Sequence, residues 1–181
     1  MKILVTGGSG FIGTNLIKSI KNKHDVTVFD VNPPKLENIP FIQGNIIDQK
    51  FVEESIKDFD IVIHLAAAVG VSYTDNEPIN TLDFNIEGTK NVLKACEKNS
   101  IKKLIFSSSS EIYGEPLNLP ISEDDFAIPI TTYGLSKLVA EEYIKSYSKT
   151  IGLQYTILRF FNAYGANQST NFVIPNFVSL A

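Results

Sequence analysis

A doubly wound α/β sheet of parallel strands is what this sequence predicts, on three observations. Short apolar runs of strand length alternate with amphipathic stretches along the whole chain, the pattern of strands joined by crossover helices. A glycine-rich turn separates the first apolar run from the first amphipathic stretch. Three long segments, at 66–77, 108–130 and 160–171, each follow an expected strand, which places them at the carboxyl edge of the sheet, where ligands bind in this architecture.

The first strand is Lys2-Ile-Leu-Val-Thr6, and a helix over 11–22 follows it with Leu16, Ile17 and Ile20 at helical spacing. Asp25-Val-Thr-Val-Phe-Asp30 is the second strand and 39–43 the third, with a helix at 49–57. Further strands are expected at 60–65, 102–107 and 153–159, and helices at 78–98, 131–150 and 172–181. No repeat, linker or low-complexity segment interrupts this order.

Composition sets the outer limits. At 181 residues, 44% apolar and 20% charged, the chain can bury one full core. A net charge of −4 gives no electrostatic reason to expect nucleic acid or an anionic membrane surface as partner. One cysteine, Cys96, excludes an internal disulfide and fits a reducing compartment. No leader is expected ahead of the first strand and no apolar run approaches the ~20 residues that span a bilayer, so the expected location is the cytoplasm. No metal is expected. Arg159 is the only arginine among 16 Lys and Arg residues, a bias read as compositional habit.

The glycine turn carries the first chemistry. In Gly7-Gly8-Ser9-Gly10-Phe11-Ile12-Gly13 the first glycine permits a tight turn. Gly10 lets backbone N–H groups approach a pyrophosphate, and Gly13 lets the helix pack close to the strand. The positive end of that helix then faces phosphates. Asp30, ending the second strand, stands where a carboxylate accepts from ribose hydroxyls and repels a 2′-phosphate, which favours NAD over NADP. The competing reading of Asp30 is a cap for the Val31-Asn-Pro-Pro turn.

Tyr133 and Lys137 stand four residues apart on an expected helix and so share a face. A cation beside a phenol favours the phenolate and brings its ionisation down from ~10, towards a pH where a proton can be exchanged with a substrate hydroxyl. Taken alone, such a pair is most often an ordinary surface pair.

In order along the chain, Thr6-Gly-Gly-Ser-Gly-Phe-Ile-Gly13, His64-Leu-Ala-Ala67, Asn85-Ile-Glu-Gly-Thr-Lys-Asn91, Phe106-Ser-Ser-Ser-Ser-Glu-Ile-Tyr-Gly114, Tyr133-x-x-x-Lys137 and Leu158-Arg-Phe-Phe-Asn-Ala-Tyr-Gly165 resemble the extended short-chain dehydrogenase/reductases, the nucleotide-sugar epimerases and dehydratases. The resemblance runs over essentially the whole chain. It implies a Rossmann fold over 1–171 and, in 172–181, the start of a substrate lobe that is mostly absent, which makes the chain a C-terminally truncated fragment with an incomplete substrate pocket, expected to be inactive alone.

The same resemblance implies roles. Ser109 hydrogen-bonds the reacting hydroxyl, Tyr133 takes its proton, and Lys137 holds the nicotinamide ribose. Gly7, Gly10, Phe11, Ile12, Gly13, Asp30, Asn32, Leu65, Ala66, Ala67, Asn85, Ser107 and Phe160 fall in the NAD site. So do Asn45 and Ile46, although Asn45 replaces the usual Asp. Asn162 meets the substrate diphosphate, but the Pro-Arg that often follows Tyr-Gly is lacking. His64 is expected as a structural strand-end histidine. Glu111 keeps three reactions open: 4-epimerisation of a nucleotide sugar through oxidation at C4, which is the reading adopted, or 4,6-dehydration or decarboxylation with Glu111 as acid and base. A noncatalytic NAD-binding module is the alternative of another class. A homodimer is expected through the helices at 78–98 and 131–150, with Val92, Leu93, Leu138, Val139 and Ile144 as apolar stripes.

Overall fold

The computed structural model describes residues 1–180, apart from the side chains of residues 71–73. Ala181, the last residue of the expected final helix, lies outside the described residues. The elements run β1 Lys2–Thr6, α1 Phe11–Ile20, β2 Asp25–Asp30, β3 Phe41–Gln43, α2 Gln49–Ser55, β4 Ile61–His64, α3 Val71–Asn76, α4 Pro78–Lys98, β5 Lys103–Ser109, a 3-10 turn Ser110–Tyr113, α5 Thr132–Ile151, β6 Gln154–Phe160 and α6 Val173–Leu180. Among the described residues six strands form one parallel sheet in the order β3-β2-β1-β4-β5-β6. The order in which strands are added reverses between β1 and β4, and the crevice above that switch point is where a ligand fits such a sheet.

Alternation along β1 divides the core between the two faces. Ile3 and Val5 pack with Ile17 of α1, Val26 and Val28. Leu4 points the other way, into a cluster with Val52 of α2, Val92 and Leu93 of α4, Leu104, Phe106 and Ile144 of α5. Val92, Leu93 and Ile144 are thus spent on the chain's own core, which removes them from the expected dimer stripe; Leu138 and Val139 stay half-buried on the outer side.

Helix ends follow local chemistry. Pro78 sits at the start of α4, where its missing N–H costs nothing. Thr131 caps α5 by accepting from Gly134 N at 2.9 Å, and Gly152, in the left-handed region at φ 73°, closes it. Two segments depart from the sequence expectation. The six-residue α3 lies within the expected loop 66–77, too short for its periodicity to be read. Strand β5 continues through Ser109, because Ser107, Ser108 and Ser109 pair with Leu158, Arg159 and Phe160 of β6. Helix α6 buries none of its residues, with Val173 and Phe177 each 67% exposed. Among the described residues no helix is long and apolar enough to cross a membrane.

Candidate active site

The glycine turn forms the first wall. Gly7 has φ +70°, and a Cβ there would stand 2.6 Å from Ala66 N, so only glycine lets this turn meet the end of β4. A Cβ at Gly13 would stand 2.6 Å from both Gly7 O and Gly8 Cα, so the close approach is of α1 to the turn itself and not to the strand. Gly10 is the N-cap of α1 and no side chain caps the helix, which leaves the N–H groups of Phe11 and Ile12 directed outward from its first turn. Phe11 and Ile12 are half-buried, and the loop after β6 returns over this wall with Gly165 against the Phe11 ring.

Asp30 serves the turn and the strand end together. One carboxylate oxygen accepts from Ser9 N at 3.1 Å and the other from Asn32 N at 3.0 Å, while Ser9 Oγ donates to Asn32 O at 2.7 Å. The capping reading is therefore correct as far as it goes, and the same carboxylate also faces the glycine turn. Asn45 is exposed, with its amide oxygen accepting from Ile47 N at 3.1 Å. Ile46 is only 3% exposed and packs against Gly88, where a Cβ would strike it. Its side chain belongs to the core and its carbonyl accepts from Asn91 Nδ2 at 3.0 Å, so the main-chain N–H is the group left to a ligand.

A hydrogen-bonded chain crosses the core beneath the switch point. Thr89 Oγ1 donates to Asn85 O at 2.8 Å, so it accepts from His64 Nε2–H at 3.2 Å; Nδ1 then accepts from Thr6 Oγ1 at 2.7 Å. Ala66 N donates in turn to Thr6 Oγ1 at 3.4 Å. Burial, aided by the nearby Lys137 charge, pulls His64 down to about 3, so the ring is neutral and structural. Asn85 continues the chain: its oxygen accepts from Ala68 N at 2.7 Å, and its Nδ2 donates to Ala68 O and to Ser136 Oγ. Ser136 Oγ donates to Tyr133 O at 2.7 Å. Asn85 is thus a buried brace between Ala68, which follows the half-buried Leu65–Ala67 stretch, and α5, with both ends of its amide committed to protein partners.

The second wall is the end of β5 against the start of α5. Ser107 Oγ donates to His64 O, and Lys137 Nζ donates to Ser107 O at 2.8 Å. Lys137 Nζ lies 4.9 Å from the Phe106 ring centroid and 5.5 Å from that of Tyr133. Ser109, 9% exposed, caps the 3-10 turn by accepting from Glu111 N at 3.2 Å, which leaves its hydroxyl hydrogen available as a donor. Phe160 pairs with Ser109 across the sheet. Glu111 is exposed, and its Oε2 accepts from Thr131 Oγ1 at 2.7 Å, two residues ahead of Tyr133. Asn162 is exposed on the loop after β6.

The electrostatics depart from expectation. Burial pushes the Tyr133 phenol up to about 12, with the Glu111 charge adding to the rise. Burial of Lys137 pulls that amine down to about 7. The expected fall of the phenol does not occur because the ammonium is turned to Ser107 O and is itself disfavoured by the medium that disfavours the phenolate.

Behind this wall lies a network that the sequence reading missed. Glu141, fully buried, accepts from Ser108 Oγ at 2.6 Å and, on both oxygens, from Arg159 Nε at 3.1 Å and Nη2 at 2.9 Å. Arg159 Nη1 donates to Tyr113 Oη at 2.7 Å and Glu123 O at 2.8 Å. The available signals were the four-residue spacing of Tyr133, Lys137 and Glu141, which puts three polar groups on one buried helix face, and the single arginine. No group of three or more His, Cys, Asp or Glu among the described residues is placed to hold a metal ion.

Residues 3–181 match the family described as NAD dependent epimerase/dehydratase. A UDP-glucose 4-epimerase of Halalkalibacterium halodurans is 36% identical over 174 residues, covering 92% of this chain and 52% of that protein. The structure of a UDP-N-acetylglucosamine 4-epimerase from Methanobrevibacter ruminantium, solved with UDP-N-acetylmuramic acid, is 37% identical with a TM-score of 0.91, covering 98% of this chain and 61% of that one. The UDP-glucose 4-epimerase of Thermus thermophilus in complex with NAD is 30% identical with a TM-score of 0.90, over 99% of this chain and 61% of that one. The chain therefore spans a little over half the length of the relatives it matches.

Proposed function

Because the chain belongs to the NAD dependent epimerase/dehydratase family, we propose that it binds NAD and works as a nucleotide-sugar 4-epimerase. One observation carries the reading: Lys137 Nζ, 5.5 Å from the Tyr133 ring centroid, bonds Ser107 O at the end of β5, two residues before Ser109, whose hydroxyl hydrogen is available. The residues present fit the dinucleotide. Gly7 and Gly13 clear the turn of any Cβ, and the uncapped start of α1 at Phe11 and Ile12 suits a pyrophosphate. Asp30 with Asn32 suits a ribose, Leu65–Ala67 and Ser107 line the strand ends, and Asn45 with the Ile46 main chain suits the adenine edge.

NAD, held by the glycine turn and Asp30, would supply a reversible hydride acceptor for the sugar C4. Around that exchange Ser109 Oγ donates to the reacting hydroxyl, and Tyr133 Oη removes its proton and later returns it. With the phenol held up at about 12, Tyr133 keeps the proton it has taken until the return step. It acts as a base only when protonated Lys137 offsets its burial. Asn162, on the loop after β6, faces the diphosphate of the substrate in this scheme.

A second reading, 4,6-dehydration or decarboxylation, is favoured by Glu111, whose carboxylate is close enough to Tyr133 to raise its pKa. Incubation of a full-length version with NAD and, in turn, UDP-glucose, UDP-glucuronate and GDP-mannose separates these. UDP-galactose from UDP-glucose supports the epimerase, a 4-keto-6-deoxy product or carbon dioxide release supports the second reading, and NAD binding without turnover leaves a binding module.

A homodimer is part of the same proposal, supported by an apolar groove of about 660 Å³ on the outer side of α4 and α5, lined by Leu138, Val139, Tyr143, Tyr147 and Ile151. Light scattering at the monomer mass contradicts it. A cytoplasmic location accompanies the reading, on a single buried thiol, Cys96, that has no partner cysteine in the sequence.

A further inference from the structure

We propose that Arg159 is a positioning residue that latches the 114–130 segment over the substrate side of the site. This inference rests on the proposed function for its kinetic consequence and on geometry alone for the latch. The segment leaves the 3-10 turn directly after Ser109–Tyr113 and returns at Thr131, two residues ahead of Tyr133, so both of its ends are residues of the site. Its start is fixed by Gly114, whose φ of +59° and contact with Ile128 O leave no room for a Cβ. Thr131 Oγ1 ties its end to Glu111. Between these points Leu117, Leu119 and Phe126 are 84, 80 and 82% exposed and contribute no core packing.

What holds the middle is Arg159. Its Nη1 reaches the Glu123 carbonyl at 2.8 Å and Tyr113 Oη at 2.7 Å, and its guanidinium carbon lies 5.1 Å from the Tyr113 ring centroid. The rest of the fork is clamped in both directions by Glu141, which Ser108 also bonds. Strand β6, strand β5, the 3-10 turn, helix α5 and the 114–130 segment therefore meet at one side chain. A lysine has one cationic head and cannot serve both Glu141 oxygens, Tyr113 Oη and Glu123 O at once. That explains why a chain that otherwise uses lysine for its basic residues has its single arginine here.

The test combines hydrogen exchange with kinetics in Arg159→Lys and Tyr113→Phe. Loss of one charge-assisted hydrogen bond corresponds to roughly tenfold faster exchange in 114–130, with β1, β2 and β4 unchanged. NAD affinity, set at the glycine turn, is expected to stay within about twofold, while KM for UDP-glucose rises roughly tenfold and kcat changes far less. Unchanged exchange in 114–130 in both variants overturns the latch, as does exchange rising equally in every strand of both. Tyr113→Phe keeps the ring and the Glu141 clamp and takes away only the phenol oxygen that aims Nη1 at Glu123 O, so a rise in exchange confined to 114–130 decides the matter if Arg159→Lys does not fold. The kinetics are read on a full-length version; if its wild type shows no turnover the epimerase reading is contradicted, and the exchange result alone then decides the latch.

Discussion

Replacing Lys137 with methionine is expected to stabilise the protein while removing its proposed chemistry. The amine is buried, and burial takes its pKa from 10.5 to about 7. A shift of that size corresponds to roughly 5 kcal/mol by which the folded state disfavours the charged form. Deleting the amine also deletes its bond to Ser107 O, a loss of about 1–3 kcal/mol when a buried carbonyl is left without a partner. Methionine fills a similar volume beside Phe106, so the net gain is expected near ~2–3 kcal/mol at neutral pH. The sign changes with pH in a defined way. Between the folded value of about 7 and the unfolded value of 10.5 the unfolded chain binds the extra proton, so wild-type stability rises with pH across that window. The variant lacks this rise, and its advantage is largest below pH ~7 and fades towards ~10. Urea unfolding of both proteins at intervals from pH ~6 to ~10, followed by far-ultraviolet circular dichroism, measures the difference. A stability difference that does not change with pH refutes the buried, depressed amine.

The remaining predictions follow from other parts of the site. His64→Gln is expected to flatten the acid limb of stability. The neutral imidazole contributes fully above its unfolded value of 6.5, and the contribution is lost as pH falls towards the folded value of about 3, by up to roughly 5 kcal/mol. Acid titrations of the two proteins with parallel limbs contradict this. Gly13→Ala places a Cβ 2.6 Å from the turn backbone, and is expected to weaken NAD binding about a hundredfold with a stability loss of about 1–3 kcal/mol. Calorimetric titration with NAD reads it, and wild-type affinity counts against the crowding argument. Glu111→Gln removes the charge that opposes the phenolate and is expected to lower the Tyr133 pKa from about 12. Phenolate absorbance during alkaline titration checks it, and an unmoved midpoint places the carboxylate out of range.

Much of the scaffold was legible because the local and the tertiary signals agree. Strands 2–6 and 25–30 and helix 78–98 fall where the apolar pattern puts them, since the glycine turn and Pro78 set their ends. The serine run looked like a loop because buried strands are seldom polar. Here it stays in β5, with Ser107 bonded to His64 O and Ser108 to Glu141. Val71–Asn76 is too short to show a period. At the site, spacing picked out the glycine turn and Asp30, whereas the Tyr133 and Lys137 pair, ordinary by spacing alone, stood out only beside the other motifs. It could not supply the direction in which Lys137 points, which depends on Ser107 O, thirty residues away in sequence. Nor could it join Glu111 to Thr131 or Arg159 to Glu141, because those contacts exist only once β5, α5 and β6 are assembled.

The central claim is that the phenol of Tyr133 stands beside the redox-active ring of a bound nicotinamide. A crystal structure of this chain with NAD tests it without depending on turnover. The account predicts the pyrophosphate at Phe11 and Ile12, the ribose of the nicotinamide at Lys137, and the ring between Tyr133 and Ser109. A ring seated in any other cleft, or a Tyr133 side chain directed away from it, contradicts the account.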